Sequence, residues 1–391
     1  MNKRKVLLVT TDSGFLSQFE MNNVKILQEM GYEVHYASNF DHSVYHYDRC
    51  QLEKRGIILH SINIVKHPAK LKQNMQAVFQ LKKIIDSEGI QMLHCHNPMG
   101  GVAGRCAAKI SKSQPYVIYT VHGFHFYQGG PLMSWVLVYP IERLLAKWTD
   151  VIVTINQEDY LQAAGFSYKK NGFVERIHGV GVNRNRFQKK PELKERKRRE
   201  LGIPEDGFHI VTAAELNRNK NQRVIIEALA GMPQKDIFYS ICGMGPEEKQ
   251  LLRLIKGRHL EDRVRLLGFR NDMEEILQTA DLVAFPSIRE GLGMAAVEAL
   301  ACGIPLIAAD NRGTREYVME GVNGVLCPAK SIRAFREAIL KFYEDETYRL
   351  ALAEGCRKTI DPFCMEEADA RMRSIYRRAE AAMLLSHSVS E

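Results

Sequence analysis

Long apolar runs are missing from this chain of 391 residues. No stretch approaches the roughly 20 apolar residues of a membrane-spanning helix. The run Val6-Leu7-Leu8-Val9-Thr10 behind Lys3-Arg4-Lys5 falls short of the roughly 7–15 residues of a secretory h-region, and no small-residue cleavage site follows it. It reads as a first buried strand. The eight cysteines are scattered and form no C-x-x-C pair. A chain of this size needs no disulfide staples, so they read as reduced thiols of a cytoplasmic protein. There is no internal repeat and no low-complexity tract. A G-x-G-x-x-G fingerprint is also missing where a dinucleotide-dependent oxidoreductase should carry it. The first strand leads instead into Thr11-Asp12-Ser13-Gly14, which counts against that class.

What is present is the composition of a soluble globular protein, 45% hydrophobic and 26% charged, at a length that favours two domains over one. Charge is unevenly divided. Up to Lys190 there are 24 Lys and Arg against 14 Asp and Glu; thereafter there are 30 against 32. A basic first half points to an anionic partner: phospholipid, a lipid diphosphate or nucleic acid.

Short β-branched runs alternate with helical patterns throughout. Strands are expected at Lys5–Thr10, Val34–Ala37, Gly56–Ile64, Met92–Cys95, Tyr116–Thr120 and Asp150–Thr154. Leu16–Met30 has helical spacing and stops at Gly31. Pro68–Ser87 reads as an amphipathic helix with Leu71, Met75, Val78, Leu81 and Ile85 near one face. A break falls near Gly179–Leu201, after which strands resume at His209–Ala213, Ile237–Cys242, Val264–Leu267, Leu282–Pro286 and Leu306–Ala309. Such alternation predicts an α/β fold of parallel, doubly wound sheets. The expected organisation is a Rossmann-like domain over 1–180, a second over 181–365, a cleft between them, and a C-terminal helix over 366–391 returning to the first domain.

The most informative run is Arg289-Glu290-Gly291-Leu292-Gly293-Met294-Ala295-Ala296-Val297-Glu298-Ala299, with Gly303-Ile304-Pro305 beyond. A carboxylate and a glycine-flanked loop come first. A helix follows whose first turn has free N–H groups suited to an anion. A second carboxylate lies on that helix. Two acids around a helix N-terminus suit a ligand with both hydroxyls and a diphosphate, such as a nucleotide sugar.

This run resembles the signature of the retaining, GT-B-fold glycosyltransferases of family four, also called group 1. The similarity extends to Ser240-Ile241-Cys242-Gly243-Met244-Gly245-Pro246, to Leu267-Gly268-Phe269-Arg270-Asn271-Asp272 and to Asp281–Ser287. The resemblance implies that Glu298 binds the ribose hydroxyls and Glu290 the donor sugar. It places the amides around Gly291, Leu292, Gly293, Met294 and Ala295 at sugar and phosphate oxygens, although Ala295 stands where many members have proline. Gly243 is then near the nucleoside, and Phe269 and Arg270 line the base pocket. In Ala213-Ala214-Glu215-Leu216-Asn217-Arg218-Asn219-Lys220, Lys220 matches the lysine that neutralises the donor diphosphate. Glu215 occupies the usual arginine position; Arg218 is expected to replace its charge, or Glu215 to orient Lys220 through an ion pair. No D-x-D metal motif is present, so the diphosphate falls to Lys220, other cations and the helix beginning near Gly293, with no metal or other cofactor required.

In the first domain the resemblance picks out His122 of Tyr119-Thr120-Val121-His122-Gly123-Phe124-His125, near donor sugar and acceptor, for hydroxyl binding or proton movement. His125, His96 and the loop at Gly14 are further acceptor-side candidates, and Arg105 is the expected acceptor-phosphate contact. His94 and His96 share a strand face, but two histidines without a third ligand do not make a metal site. The apolar segment Gly130–Trp148 reads as a bilayer or polyprenyl contact, or else as a buried helix. The Lys-rich 66–83 stretch favours the membrane.

The expected activity is therefore transfer of a sugar, with retention, from a nucleotide diphosphate donor, UDP-linked by preference. The expected acceptor is a polyprenyl-diphosphate-linked saccharide of capsule or exopolysaccharide synthesis, at the cytoplasmic face of the membrane, with no nucleic-acid partner. A catalytically silent sugar-nucleotide-binding subunit and, more remotely, an NAD(P)-dependent oxidoreductase are the alternatives.

Overall fold

The computed structural model describes residues 3–41, 43 and 47–388. The chain divides into two compact units. One holds the residues up to Val180 together with those from Ala368 onward; the other is Gly181–Glu367.

The first unit contains a seven-stranded parallel sheet formed by β1 (Arg4–Val9), β2 (Tyr32–Ser38), β3 (Ile57–Ser61), β4 (Met92–His96), β5 (Tyr116–Val121), β6 (Val151–Thr154) and β7 (Phe173–Arg176), in the order 3-2-1-4-5-6-7. Val6, Leu7, Leu8 and Val9 are fully buried, as expected of a central parallel strand covered on both faces. The helix Met365–Ser388 contributes Met372, Ile375, Tyr376 and Ala379 to the buried residues.

The second unit repeats the plan with β8 (Phe208–Ala213), β9 (Ile237–Cys242), β10 (Val264–Gly268), β11 (Leu282–Phe285), β12 (Leu306–Ala309) and β13 (Gly324–Cys327), in the order 10-9-8-11-12-13. Its core gathers Ile210, Ile226, Tyr239, Ile241, Phe335 and Phe342. In both sheets the strand order reverses once, between β1 and β4 and between β8 and β11. Such a switch point opens a crevice beyond the carboxyl ends of the strands.

The alternation read from the sequence is the one observed, with two additions: β7 and β13, four residues each, are too short to stand out. Two local expectations are corrected. Leu16–Met30 is not one regular helix; a π-helical turn, Leu16–Glu20, precedes an α-helix, Met21–Glu29. The helix Leu71–Glu88 buries Asn74, Ala77, Leu81 and Ile85, while Leu71, Met75 and Phe79 are exposed. The polar Asn74 is inside because its side chain accepts from the Val65 amide and donates to the His67 carbonyl.

Candidate functional site

In the second unit the site forms at the carboxyl edge where β8 and β11 lie side by side. The loop after β8 and the loop after β11 are held together by hydrogen bonds. Ile288 N donates to the Asn219 carbonyl at 2.7 Å, Asn219 Nδ2 to the Arg289 carbonyl at 2.9 Å, and Asn221 Nδ2 to the Pro286 carbonyl at 3.2 Å. This brings Lys220 Nζ to 2.5 Å from Glu290 Oε1. Neither side chain is more than a quarter exposed (22% and 11%). The expected partnership of Glu215 with Lys220 is thus replaced: Glu290 takes the ammonium, and Glu215 is exposed. Arg218 is also exposed, 3.5 Å from Glu247.

Gly293 starts the helix Met294–Ala301 at φ 102°. A Cβ there would stand 2.7 Å from the Phe285 ring, so glycine is required by both backbone and space. Leu292 is buried. Gly291, Met294 and Ala295 are only partly so, and the N–H groups of Met294 and Ala295 lie in the first turn, where no intrahelical acceptor exists. Glu298 is partly buried on the same helix. Burial pushes its carboxyl up to about 7, and Arg186 acts in the opposite sense. Gly243, at φ 148°, follows β9 and passes so close to Ala214 that a Cβ would overlap the Ala214 carbonyl oxygen.

Phe269, directly after β10, is 64% exposed. The Arg270 guanidinium is already held by Asp272, with Nε to Oδ1 at 2.8 Å and Nη2 to Oδ2 at 2.6 Å. A base contact from Arg270 therefore has to share it with that carboxylate.

In the first unit, His96 ends β4 and His122 directly follows β5. The sequence reading missed their partner, Glu20. Glu20 is 1% exposed. Its Oε1 lies 3.3 Å from His96 Nδ1 and 3.9 Å from His122 Nε2, and the two ring nitrogens are 3.3 Å apart. Asn23 Nδ2 donates to Glu20 Oε2 at 2.6 Å. Burial raises the Glu20 carboxyl to about 8, lowers His122 to about 4 and holds His96 well below the usual imidazole value. A signal was available: Leu16, Glu20, Val24 and Leu27 lie on one helical stripe, so a carboxylate sat among core positions.

His94 plays a different part. Its ring nitrogens contact Tyr376 Oη at 3.0 Å and Thr120 Oγ1 at 2.8 Å, so it is a fully bonded core residue. Arg105 is the clearest correction. It is 0% exposed, its Nη2 is 2.8 Å from Glu142 Oε2, and its guanidinium lies 4.1 Å from the Tyr119 ring centroid. It is an internal ion pair and not an acceptor-phosphate contact. His125 is exposed. The Gly14 amide donates to Asp12 Oδ1 at 3.2 Å, in its own loop, and to Ser43 Oγ at 3.0 Å, in the segment after β2, so it is already engaged.

The segment after Gly130 is divided between core and surface. Trp135, Val138 and Tyr139 pack on the core. Leu132, Met133, Val136, Leu137, Ile141 and Leu144 are exposed, between 47% and 76%. Arg143 and Lys147 are exposed on the same segment. Among the described residues, no helix is long and apolar enough to cross a membrane.

Comparison with known proteins bears on the family and the fold. Residues 194–359 match the family described as "Glycosyl transferases group 1" and residues 5–156 the family "Glycosyl transferase 4-like". EpsD of Bacillus subtilis (strain 168), named as a glycosyltransferase, is 37% identical over 377 residues, covering 95% of this chain and 96% of its own. The UDP-Gal:alpha-D-GlcNAc-diphosphoundecaprenol alpha-1,3-galactosyltransferase of Escherichia coli is 26% identical, covering 78% and 80%. Among solved structures, Anabaena HepE in complex with UDP and glucose superposes with a TM-score of 0.78 at 21% identity, covering 96% of this chain and 100% of that one. The two doubly wound units, the acid-flanked helix at the second switch point and these matches together make the chain a member of the group 1 glycosyltransferases, with the GT-B fold.

Proposed function

We propose that this protein transfers a sugar from a UDP-linked donor to a polyprenyl-diphosphate-linked saccharide, with retention of anomeric configuration, in synthesis of a cell-surface polysaccharide. The observation that carries the reading is the Lys220–Glu290 pair beside the helix at Gly293. Ammonium, helix N-terminus and carboxylates there match the phosphates and hydroxyls of a sugar nucleotide. Lys220 and the first-turn amides neutralise the departing diphosphate. Glu290 and Glu298 accept from sugar and ribose hydroxyls, and Phe269 offers its face to the base. His122, on the first unit, is assigned to a sugar or acceptor hydroxyl. The acceptor class is suggested by the diphosphoundecaprenol substrate in the name of the Escherichia coli relative. The oxidoreductase alternative falls with family membership.

The exposed apolar ridge from Leu132 to Leu144, flanked by Arg143 and Lys147, is assigned to the cytoplasmic face of an anionic bilayer. Exposed Lys66, Lys70, Lys72 and Lys83 add to the positive charge of the same unit.

The test is a screen of UDP- and GDP-sugars with and without a lipid-linked saccharide, read by released nucleotide and by the anomeric configuration of the product. Acceptor-dependent release from a UDP-sugar with a retained anomer is expected. Nucleotide binding without release on any donor would leave the chain a silent binding subunit.

A further inference from the structure

We propose that Glu20, His96 and His122 form a binding site for one divalent transition-metal ion, zinc foremost, at the switch point of the first sheet.

Three segments far apart in sequence each direct one ligand atom to the same point: the turn after β1, the end of β4 and the residue after β5. A tetrahedral zinc ion with bonds of about 2.0–2.1 Å sets its ligands about 3.3–3.4 Å apart. The three separations here are 3.3, 3.3 and 3.9 Å. The imidazole–imidazole contact, at 3.3 Å, is at the long end of hydrogen-bonding distance and has the length of an edge of a metal polyhedron. The residue types agree as well: two neutral imidazoles and one carboxylate are a familiar ligand set for zinc, with a fourth position left for water.

The surroundings support the same assignment. Asn23 binds the other oxygen of Glu20 at 2.6 Å and so fixes which oxygen faces the histidines, as outer-shell partners do. The Phe15 ring lies edge-on to His122, 5.0 Å between centroids, and 6.0 Å from His96, and so covers one side of the point, while the His122 side chain keeps 23% exposure. A cavity of about 20 Å³ is lined by Glu20, Asn23, Thr120 and His122 among others. It has room for a single water.

His94 is excluded from the set because both its nitrogens are engaged by Tyr376 and Thr120. A cation held by the other three takes up the Nε2 of His122, so occupancy alters whatever that ring contacts. The assignment does not rest on the transferase reading, because metal binding is measured directly.

The experiment uses the full-length protein, purified, stripped with a chelator and titrated with zinc alone, then with cobalt(II) as a spectroscopic stand-in. One equivalent of zinc is expected, displaceable cobalt d–d absorption with the intensity of a four-coordinate site, and a zinc-dependent rise in Tm. Glu20→Gln and His122→Gln are each expected to weaken zinc binding by at least about tenfold, and Asn23→Ala by about 10–100-fold. Circular dichroism establishes that each variant is folded; if Glu20→Gln is not, His122→Gln, at a position that is 23% exposed, decides the question. Wild-type protein that takes up no stoichiometric zinc, or folded variants that bind it as the wild type does, would overturn the proposal, whatever the outcome for sugar transfer.

Discussion

Lys220 and Glu290, 70 residues apart in sequence, meet at 2.5 Å where the loops after β8 and β11 are hydrogen-bonded together. The lysine assigned to a diphosphate is therefore pre-positioned by a carboxylate, and the donor enters a charge pair already formed. Lys220→Ala is expected to lower kcat by about 100–1,000-fold, the scale of losing one preorganised electrostatic contact. A double-mutant cycle with Lys220→Met and Glu290→Gln, followed by urea unfolding, is expected to give a coupling of about 0.5–3 kcal/mol. Additive single effects would show that the pair is not formed in solution.

Glu298 makes a prediction about pH. Its carboxyl is raised from 4.5 to about 7 by burial, so the folded chain keeps a proton that the unfolded chain releases across that interval. The stability contributed by this group is fully present below pH 4.5 and is lost as pH rises through 7. Glu298→Gln is therefore expected to match the wild type near pH 4.5 and to exceed it at pH 8, by at most about 3 kcal/mol. The same variant should bind UDP at least about tenfold more weakly, since it removes a charged acceptor for the ribose hydroxyls. Isothermal calorimetry and denaturant titrations at the two pH values check both parts; unchanged UDP affinity would refute the ribose assignment.

Arg105 and Glu142 are a buried pair, so their effect belongs to stability. Glu142→Ala leaves an uncompensated guanidinium under the first sheet and is expected to cost about 3–5 kcal/mol. The double replacement Arg105→Met with Glu142→Leu removes both charges and should recover most of that loss. If the single variant is as stable as the wild type, the ion pair is not buried as described.

The ridge from Leu132 to Leu144 is tested by flotation with vesicles. Wild-type protein is expected to float with vesicles containing anionic lipid and to float less with purely zwitterionic ones. Leu137→Asp combined with Leu144→Asp should reduce recovery at least about tenfold while leaving hydrolysis of a soluble donor intact. Equal flotation of wild type and variant would remove this face from membrane contact.

Much of the architecture was legible because parallel sheets impose a simple rule on sequence: buried runs of four to six apolar residues separated by helices. The donor side was legible for a related reason. Glu290, Gly293 and Glu298 lie within one contiguous run, so the chain itself records their proximity. Two kinds of information were not local. Arg105 looked available because its helix opens at the sheet edge, yet its side chain turns inward to Glu142, which is 37 residues away. Glu20 was hidden because it joins His96 and His122 only through strand order. Of the stripe read over this helix, Leu81 and Ile85 are buried but Leu71 and Met75 are exposed, because periodicity identifies an apolar face without saying whether protein or something else covers it. Asn74 shows the converse, a polar residue drawn inside by backbone partners.

The hydrogen bond between His94 and Tyr376 links positions 282 residues apart within one compact unit. During synthesis β1 to β7 leave the ribosome long before the helix that buries Tyr376 against them. The first sheet must therefore persist with part of its surface uncovered while the whole of the second unit is made. A chain built this way completes its first half last, and its nascent form should be a more persistent client of chaperones than the order of its sequence suggests.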